Sequence, residues 1–265
     1  MARKSNETLS KKIPVMYAFA RSGGTLINQI LGASPQCLVL SEINPAGSVI
    51  SIETQASEWL DLLRPEEVKW FKKLTYVEKI SFLSEKAKKA KKVLVIRDWP
   101  TLNFLPGIFQ YPIDPSELLE QQLYLESHGF LIQSFVICRR SDRVFESIQK
   151  NFQHLKELKI EIFSDAYLNY AKSASFSPVF QLEKLCQNPK QVIAKILSTI
   201  QLNEDVGYLL SNFYKFQKCT GNNSLGVPSL SSQAKDIFID IGNGLPGNVF
   251  RTDKMKEADK LFGYE

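Results

Sequence analysis

Residues 17–32 read YAFARSGGTLINQILG. The first three close an uncharged run, Ile13–Phe19, rich in β-branched and aromatic residues, which reads as a buried strand. The last eight put Leu26, Ile27, Ile30 and Leu31 on one side of a helix. Between them, Arg21-Ser22-Gly23-Gly24-Thr25 forms a short strand-to-helix turn. Glycines let backbone N–H groups approach an anion closely. The helix start adds its positive dipole end. Ser22 and Thr25 add hydroxyl donors, and Arg21 adds a planar cationic fork suited to oxyanions. The turn therefore reads as an anion site. An ATP-binding loop of the G-x-x-x-x-G-K-[S/T] type needs a lysine after its last glycine. Here Thr25 follows Gly24, and the charge precedes the glycines.

Further strands follow at Gln36–Glu42, Lys92–Asp98, Phe130–Cys138 and Pro178–Glu183. Helical periodicity separates them: residues 55–92, interrupted at Pro65, then 116–127, a helix from about Asp142, and one from Pro189. This alternation predicts an α/β three-layer sandwich. Its centre is a mostly parallel five-stranded sheet of P-loop NTPase-like type. The whole chain, 1–265, reads as one domain, with residues 1–12 a flexible N-terminus and 219–250 a loop-rich cover. Ligands of such sheets sit beyond the carboxyl ends of the strands. That rule selects Arg21–Thr25, Glu42, Arg97, Asp98, Arg139, Arg140 and Glu183.

Composition sets the outer bounds. The 265 residues are 44% hydrophobic and 23% charged, with a formal net charge of +5, as in an ordinary globular protein. The mild positive balance suits an anionic ligand, but there is no basic-aromatic stripe for nucleic acid. The four cysteines lie far apart and there are two histidines, so neither a disulfide framework nor a metal cluster is expected. No apolar run reaches membrane-spanning length, and the expected location is the cytoplasm. His128 and His154 read as structural or solvated. The lysine run 86–92 reads as a solvated helix end.

The fourth strand ends at Cys138 in VICRRSDRVFESIQ, with Arg139 at its tip and Ser147 eight residues on. Taken alone, Arg139 or Arg140 fits a surface ion pair as well as it fits a phosphate. The two loops together resemble the sulfotransferases that use 3′-phosphoadenosine 5′-phosphosulfate (PAPS). The resemblance implies that Arg21, Ser22, Gly23, Gly24, Thr25 and Leu26 hold the phosphosulfate. It implies that Arg139 and Ser147 hold the 3′-phosphate. VFQLEKLCQNPKQVIAKIL, with Glu183, Leu185 and Pro189, matches a third family element, so the similarity runs from about Pro14 to Leu202. The sequence departs from the family in three places. Gly24 replaces a threonine, Arg140 stands where aspartate is common, and the tail only loosely matches the family's nucleotide cover, with Arg251 a candidate contact.

The reaction so implied is in-line transfer of a sulfonyl group to a hydroxyl or amine of a soluble small molecule, a specialised metabolite among the options. No metal is needed, and 3′,5′-adenosine bisphosphate is released. Arg21 and Arg97 are the candidate cations at the reacting end. The third strand carries no catalytic histidine after it, so the base is a carboxylate, Glu42 or Asp98. The aromatic stretch Trp99–Pro115 suits an acceptor pocket or lid. Two alternatives remain at this stage: a magnesium-dependent small-molecule kinase or NTPase, and a non-catalytic nucleotide-binding protein. The oligomeric state is open, a homodimer included.

Overall fold

A computed structural model of the chain describes residues 11–107, 115–221, 238 and 250–265. Residues 1–10, 108–114 and most of the expected cover, 222–237 and 239–249, lie outside the described residues.

Five strands of the sheet run parallel: β1 (Lys11–Ala18), β2 (Cys37–Asn44), β4 (Val93–Asp98), β5 (Phe130–Cys138) and β6 (Val179–Gln181). A sixth, β3 (Gly47–Ser48), folds back antiparallel on β2. The order is β3-β2-β4-β1-β5-β6, so the sheet has six strands rather than the expected five. Two residues are too few to show an alternating pattern, which is why sequence periodicity passes over β3. β1 begins at Lys11, so the last two residues of the expected flexible N-terminus belong to the sheet. β6 stops at Gln181, and Glu183 lies in the following helix.

Successive residues of each strand point to opposite faces. Ile13, Val15 and Tyr17 of β1 join one core with Leu94 and Ile96 of β4, while Met16, Ala18 and Val95 join the other. The second core is covered by α1 (Gly24–Gly32), α10 (Pro189–Thr199) and α11 (Val206–Asn212). The first is covered by α4 (Tyr76–Lys89), α8 (Ile160–Ala174) and α12 (Asp253–Leu261). The charged stretch after β2 becomes a short α2 (Ile52–Thr54) running into a π-turn, then α3 (Pro65–Phe71) and α4. Pro65 starts α3 rather than only breaking a helix, and Thr75 with Glu78 forms the capping box of α4. Between β4 and β5 lie α5 (Thr101–Phe104) and α6 (Glu120–Ser127); α7 (Ser141–Asn151) follows β5 and α9 (Leu182–Gln187) follows β6.

From β1 the chain first builds the β4 side of the sheet and then crosses to the β5 side. The carboxyl end of β1 is thus the topological switch point, where a crevice opens. Part of the aromatic stretch read as a lid is packed core: Trp99, Leu102, Phe104 and Leu105 are buried. Among the described residues no helix is long and apolar enough to cross a membrane.

Ile30 of α1 is fully buried between that helix and the sheet. Ile30→Ala should lower unfolding stability by about 2–5 kcal/mol, read as a lower urea midpoint at unchanged slope.

Candidate active site

The loop after β1 closes tightly, the Ser22 N–H donating to the Phe19 carbonyl at 3.1 Å and the Ala20 N–H to the Thr101 hydroxyl at 2.8 Å. Arg21 holds a left-handed backbone with φ 67°. Helix α1 starts after Gly23 (φ 95°) with no side-chain cap and no acidic residue in its first turn. Its first N–H groups therefore have no intrahelical acceptor and no local anion. The Ser22 hydroxyl is fully buried, without a hydrogen-bond partner among the described residues.

Three strand ends bring guanidinium groups to this loop. Arg21 Nε–H donates to Ser147 Oγ at 3.0 Å, joining residues 126 apart in sequence. The loop after β1 and the helix after β5 therefore meet, through Arg21 rather than through Arg139. Burial and the neighbouring Arg139 guanidinium lower the Arg21 pKa from its ordinary value; Glu42 offsets this and Arg97 adds to it. Arg139 forms no ion pair among the described residues, and its carbonyl is fixed by the Tyr167 hydroxyl at 2.6 Å. Three cations thus gather here, and among the described residues the ion pair that any of them makes is that of Arg97 with Glu42. This is an arrangement for a multiply charged anion.

Arg97 is buried against α1. A Cβ on Gly24 would lie 2.7 Å from the Ala18 Cβ and 3.0 Å from Arg97 Nε. The departure at Gly24 is thereby explained: the guanidinium occupies the room that a threonine would fill. Arg97 Nη2 donates to Glu42 Oε1 at 2.7 Å, while Nη1 reaches Ser41 Oγ at 3.4 Å and the Thr220 carbonyl at 3.3 Å. Its Nε–H is buried and unpartnered.

The carboxylates separate by sheet face. β2 pairs Ser41 with Arg97 and Ile43 with Asp98, leaving Glu42 as an extra residue, a β-bulge with φ 49°. The bulge turns Glu42 toward Arg97. Asp98 points to the opposite face, where Asn44 Nδ2 donates to its Oδ1 at 3.0 Å. Asp98 does not pair with Arg97. Of the two candidate bases, Glu42 stands at the anion site and Asp98 is sealed away from it.

Other candidates are held in structural pairs. Arg140 makes a two-pronged contact with Asp142 at 2.7 and 2.6 Å. Arg251 pairs with Asp259 at 3.2 Å, which anchors α12 instead of leaving the side chain open as a nucleotide contact. Glu183 accepts from the Arg140 N–H at 3.3 Å and from the Tyr264 hydroxyl at 2.5 Å. His128 and His154 are exposed.

Sequence reasoning missed Ser41 and Thr220. Thr220 is buried in the site: its N–H donates to Ser41 Oγ at 3.1 Å, its hydroxyl meets Ser41 Oγ at 2.7 Å, and its carbonyl accepts from the Thr25 hydroxyl at 3.2 Å. Ser41, one residue before Glu42 on an apolar strand, carries a weak signal; a lone threonine 179 residues away carries none.

No family model and no curated protein matches the sequence. Solved structures do. A sulfotransferase domain from the Synechococcus PCC 7002 olefin synthase superposes with a TM-score of 0.65 at 16% identity, covering 100% of this chain and 99% of that one. A sulfotransferase domain from the curacin biosynthetic pathway gives a TM-score of 0.50 at 15% identity, over 97% and 99%. The chain therefore has the fold of sulfotransferase domains, with a central, mostly parallel sheet between helical layers.

An aspartate in an unfolded chain titrates near about 4. Burial carries folded Asp98 up to about 7, with Asn44 and the Trp99 amide acting against it. The folded state thus holds the proton more tightly. The stability this confers is complete below about pH 4 and is lost as pH rises through about 7. Urea melts across that window should show the wild type losing stability relative to Asp98→Asn.

Proposed function

We propose that this protein is a sulfotransferase that moves the sulfonyl group of PAPS to a hydroxyl or amine of a soluble small molecule in the cytoplasm. The observation that carries this reading is the convergence of Arg21, Arg97 and Arg139 with Ser147 at the switch point of the sheet. The fit to such a group rests on donors without acceptors: the Ser22 hydroxyl, Arg97 Nε–H and the open first turn of α1. Arg21, Ser22, Gly23, Gly24, Thr25 and Leu26 would hold the 5′-phosphosulfate, and Arg139 with Ser147 the 3′-phosphate. PAPS supplies an activated sulfonyl group on a phosphate leaving group.

Glu42 takes the acceptor's proton in this reading. Its bulged backbone and the Arg97 contact fix the carboxylate beside the cations, so proton removal happens where negative charge is best stabilised. Arg97 and Arg21 stabilise charge on the departing oxygen. Ser41 and Thr220 hold Arg97 through Nη1.

A thermal-shift titration with 3′,5′-adenosine bisphosphate and no metal tests the reading. At a hundredfold excess over Kd the melting temperature should rise by roughly 5–10 °C. Arg139→Ala should lose that rise. Stabilisation by magnesium-ATP alone would overturn the proposal in favour of a kinase, and no response to either ligand would favour a protein that does not use these nucleotides. Glu42→Gln should keep the bisphosphate response and lower kcat roughly 10²–10⁴-fold, without a matching rise in the KM for PAPS.

A further inference from the structure

The face of the sheet opposite the arginines holds a second polar cluster that the transfer chemistry does not use. Asp98 is fully buried and its Oδ2 has no hydrogen-bond partner among the described residues. The Tyr17 hydroxyl and Gln121 Nε2 are buried and unpartnered in the same way. Burial raises the pKa of Tyr17, Tyr76 and Tyr170, and the Asp98 charge adds to the rise in each. Tyr76 ties Gln121 into the group, its hydroxyl donating to Gln121 Oε1 at 2.6 Å. Asn44 Nδ2 is shared between Asp98 Oδ1 and Asn103 Oδ1, at 3.0 and 2.8 Å.

A groove of about 520 Å³ lies beside this cluster, lined by Pro45, Ala46, Glu120, Leu123, Tyr124 and Ser127. Pro45 and Glu120 are the chain neighbours of Asn44 and Gln121, and the Tyr124 ring packs on Tyr76 with centroids 5.9 Å apart. The groove's lining thus adjoins the cluster along the chain, while Asp98, Tyr17 and Gln121 are themselves fully buried. The groove also opens at the carboxyl end of β2, the end that presents Glu42.

The charges here are all of one sign. Glu120 and Asp98 repel, Glu126 acts on Tyr17, and no described cation pairs with Asp98. A buried carboxyl without a counter-charge is costly, and unpartnered buried polar atoms are rare in folded proteins. An ammonium group would supply both missing terms. It donates to Asp98 Oδ2 and to hydroxyl oxygens, and aromatic ring faces attract it.

We propose that Asp98 and the Tyr17 hydroxyl, behind the groove between the β2–β3 turn and α6, bind an ammonium group on the acceptor. The acceptor is then an amine-bearing alcohol or phenol. Its apolar body lies along Pro45, Leu123 and Tyr124, and its hydroxyl is presented to Glu42 on the other side of the sheet edge. This substrate class rests on the sulfotransferase reading.

Three probes that share a ring and differ at one end test it: 2-phenylethylamine, 2-phenylethanol and phenylacetate, titrated by calorimetry. The amine should bind at least about tenfold more tightly than the alcohol, and the carboxylate most weakly. Binding of the amine should release a proton below about pH 7 and none well above it, read from buffers of different ionisation heats, because the cation favours ionised Asp98. The groups that act on or with Asp98 are Tyr17 of β1, Asn44 of β2, Tyr76 of α4, Tyr170 of α8 and Glu120 of α6, while Glu126 acts on Tyr17. Asp98→Asn should abolish the proton release together with the amine preference. Tyr17→Phe keeps the carboxyl, and should weaken the amine several-fold with proton release unchanged. Equal binding of amine and alcohol, an amine preference that survives Asp98→Asn, or no binding of any probe would overturn the proposal. The bisphosphate melting shift, read on the same samples, separates the two readings. A bisphosphate response without amine binding sinks the cation site alone. Amine binding without a bisphosphate response leaves the cation site standing and sinks the sulfotransferase reading.

Discussion

The contact between Arg97 and Glu42 exists because β2 carries one residue too many. In a regular strand Glu42 would point to the face opposite Ser41 and meet the tyrosines around Asp98. The bulge between Ser41 and Ile43 turns it back toward the arginines at the cost of a left-handed φ of 49°. Such a conformation in a residue other than glycine costs of the order of 1–3 kcal/mol and persists only where its surroundings fix it. Here the Val49 N–H binds the Glu42 carbonyl and Arg97 binds its side chain. Arg21 holds a second left-handed backbone in the same site, fixed by its bond to Ser147. Among the described residues, two of the six positive-φ positions other than glycine are therefore site residues.

The same constraint explains the glycines. Arg97 reaches Glu42 by lying flat against the start of α1, in the space a side chain at position 24 would take. A Cβ at Gly23 would meet Leu182 at 2.7 Å, so α9 closes on the loop from the other side. At Gly221 (φ 84°) a Cβ would come within 2.6 Å of the Thr25 hydroxyl, so the 219–221 segment enters the site as bare backbone. These glycines admit, in turn, a guanidinium, a packing leucine and a third strand of chain. None serves only as a flexible turn.

This bears on what the sequence could reveal. The strands are legible as apolar runs, most clearly β4, VLVIRD, whose buried apolar residues close on a charged pair, the pattern of a strand buried on both faces. The anion loop is legible because its glycines, hydroxyls and arginine are adjacent in the chain. The bond from Arg21 to Ser147 is not legible, because it joins residues 126 apart in sequence. What sequence could not supply is the bulge, since an extra residue leaves no mark on a pattern of polar and apolar positions. Without it, sequence puts Glu42 only slightly ahead of Asp98, since each closes an apolar run read as a strand. Thr220 was invisible for a different reason: its role depends on a long-range return of the chain. By resemblance Arg251 is a candidate nucleotide contact, and its partner Asp259 lies on a helix whose packing against α7 is tertiary.

The sheet edge therefore separates charge. On the α1 face three guanidinium groups gather, one of them paired with Glu42. On the α4 face one carboxyl, two peripheral glutamates and a set of tyrosines stand without a described cation. Arg97 and Asp98 are consecutive residues, so the boundary between the two fields is one peptide unit wide. Neither side can neutralise the other, because strand geometry sends neighbouring side chains in opposite directions. A sequence in which Arg97 and Asp98 paired would be cheaper to fold and would leave both faces inert. Burial raises the pKa of Asp98, with Glu120 adding to it, and burial with Arg139 lowers that of Arg21; both shifts run in the direction that ligands of opposite charge would relieve. An anion on one face and a cation on the other would then meet at the strand end where Glu42 stands.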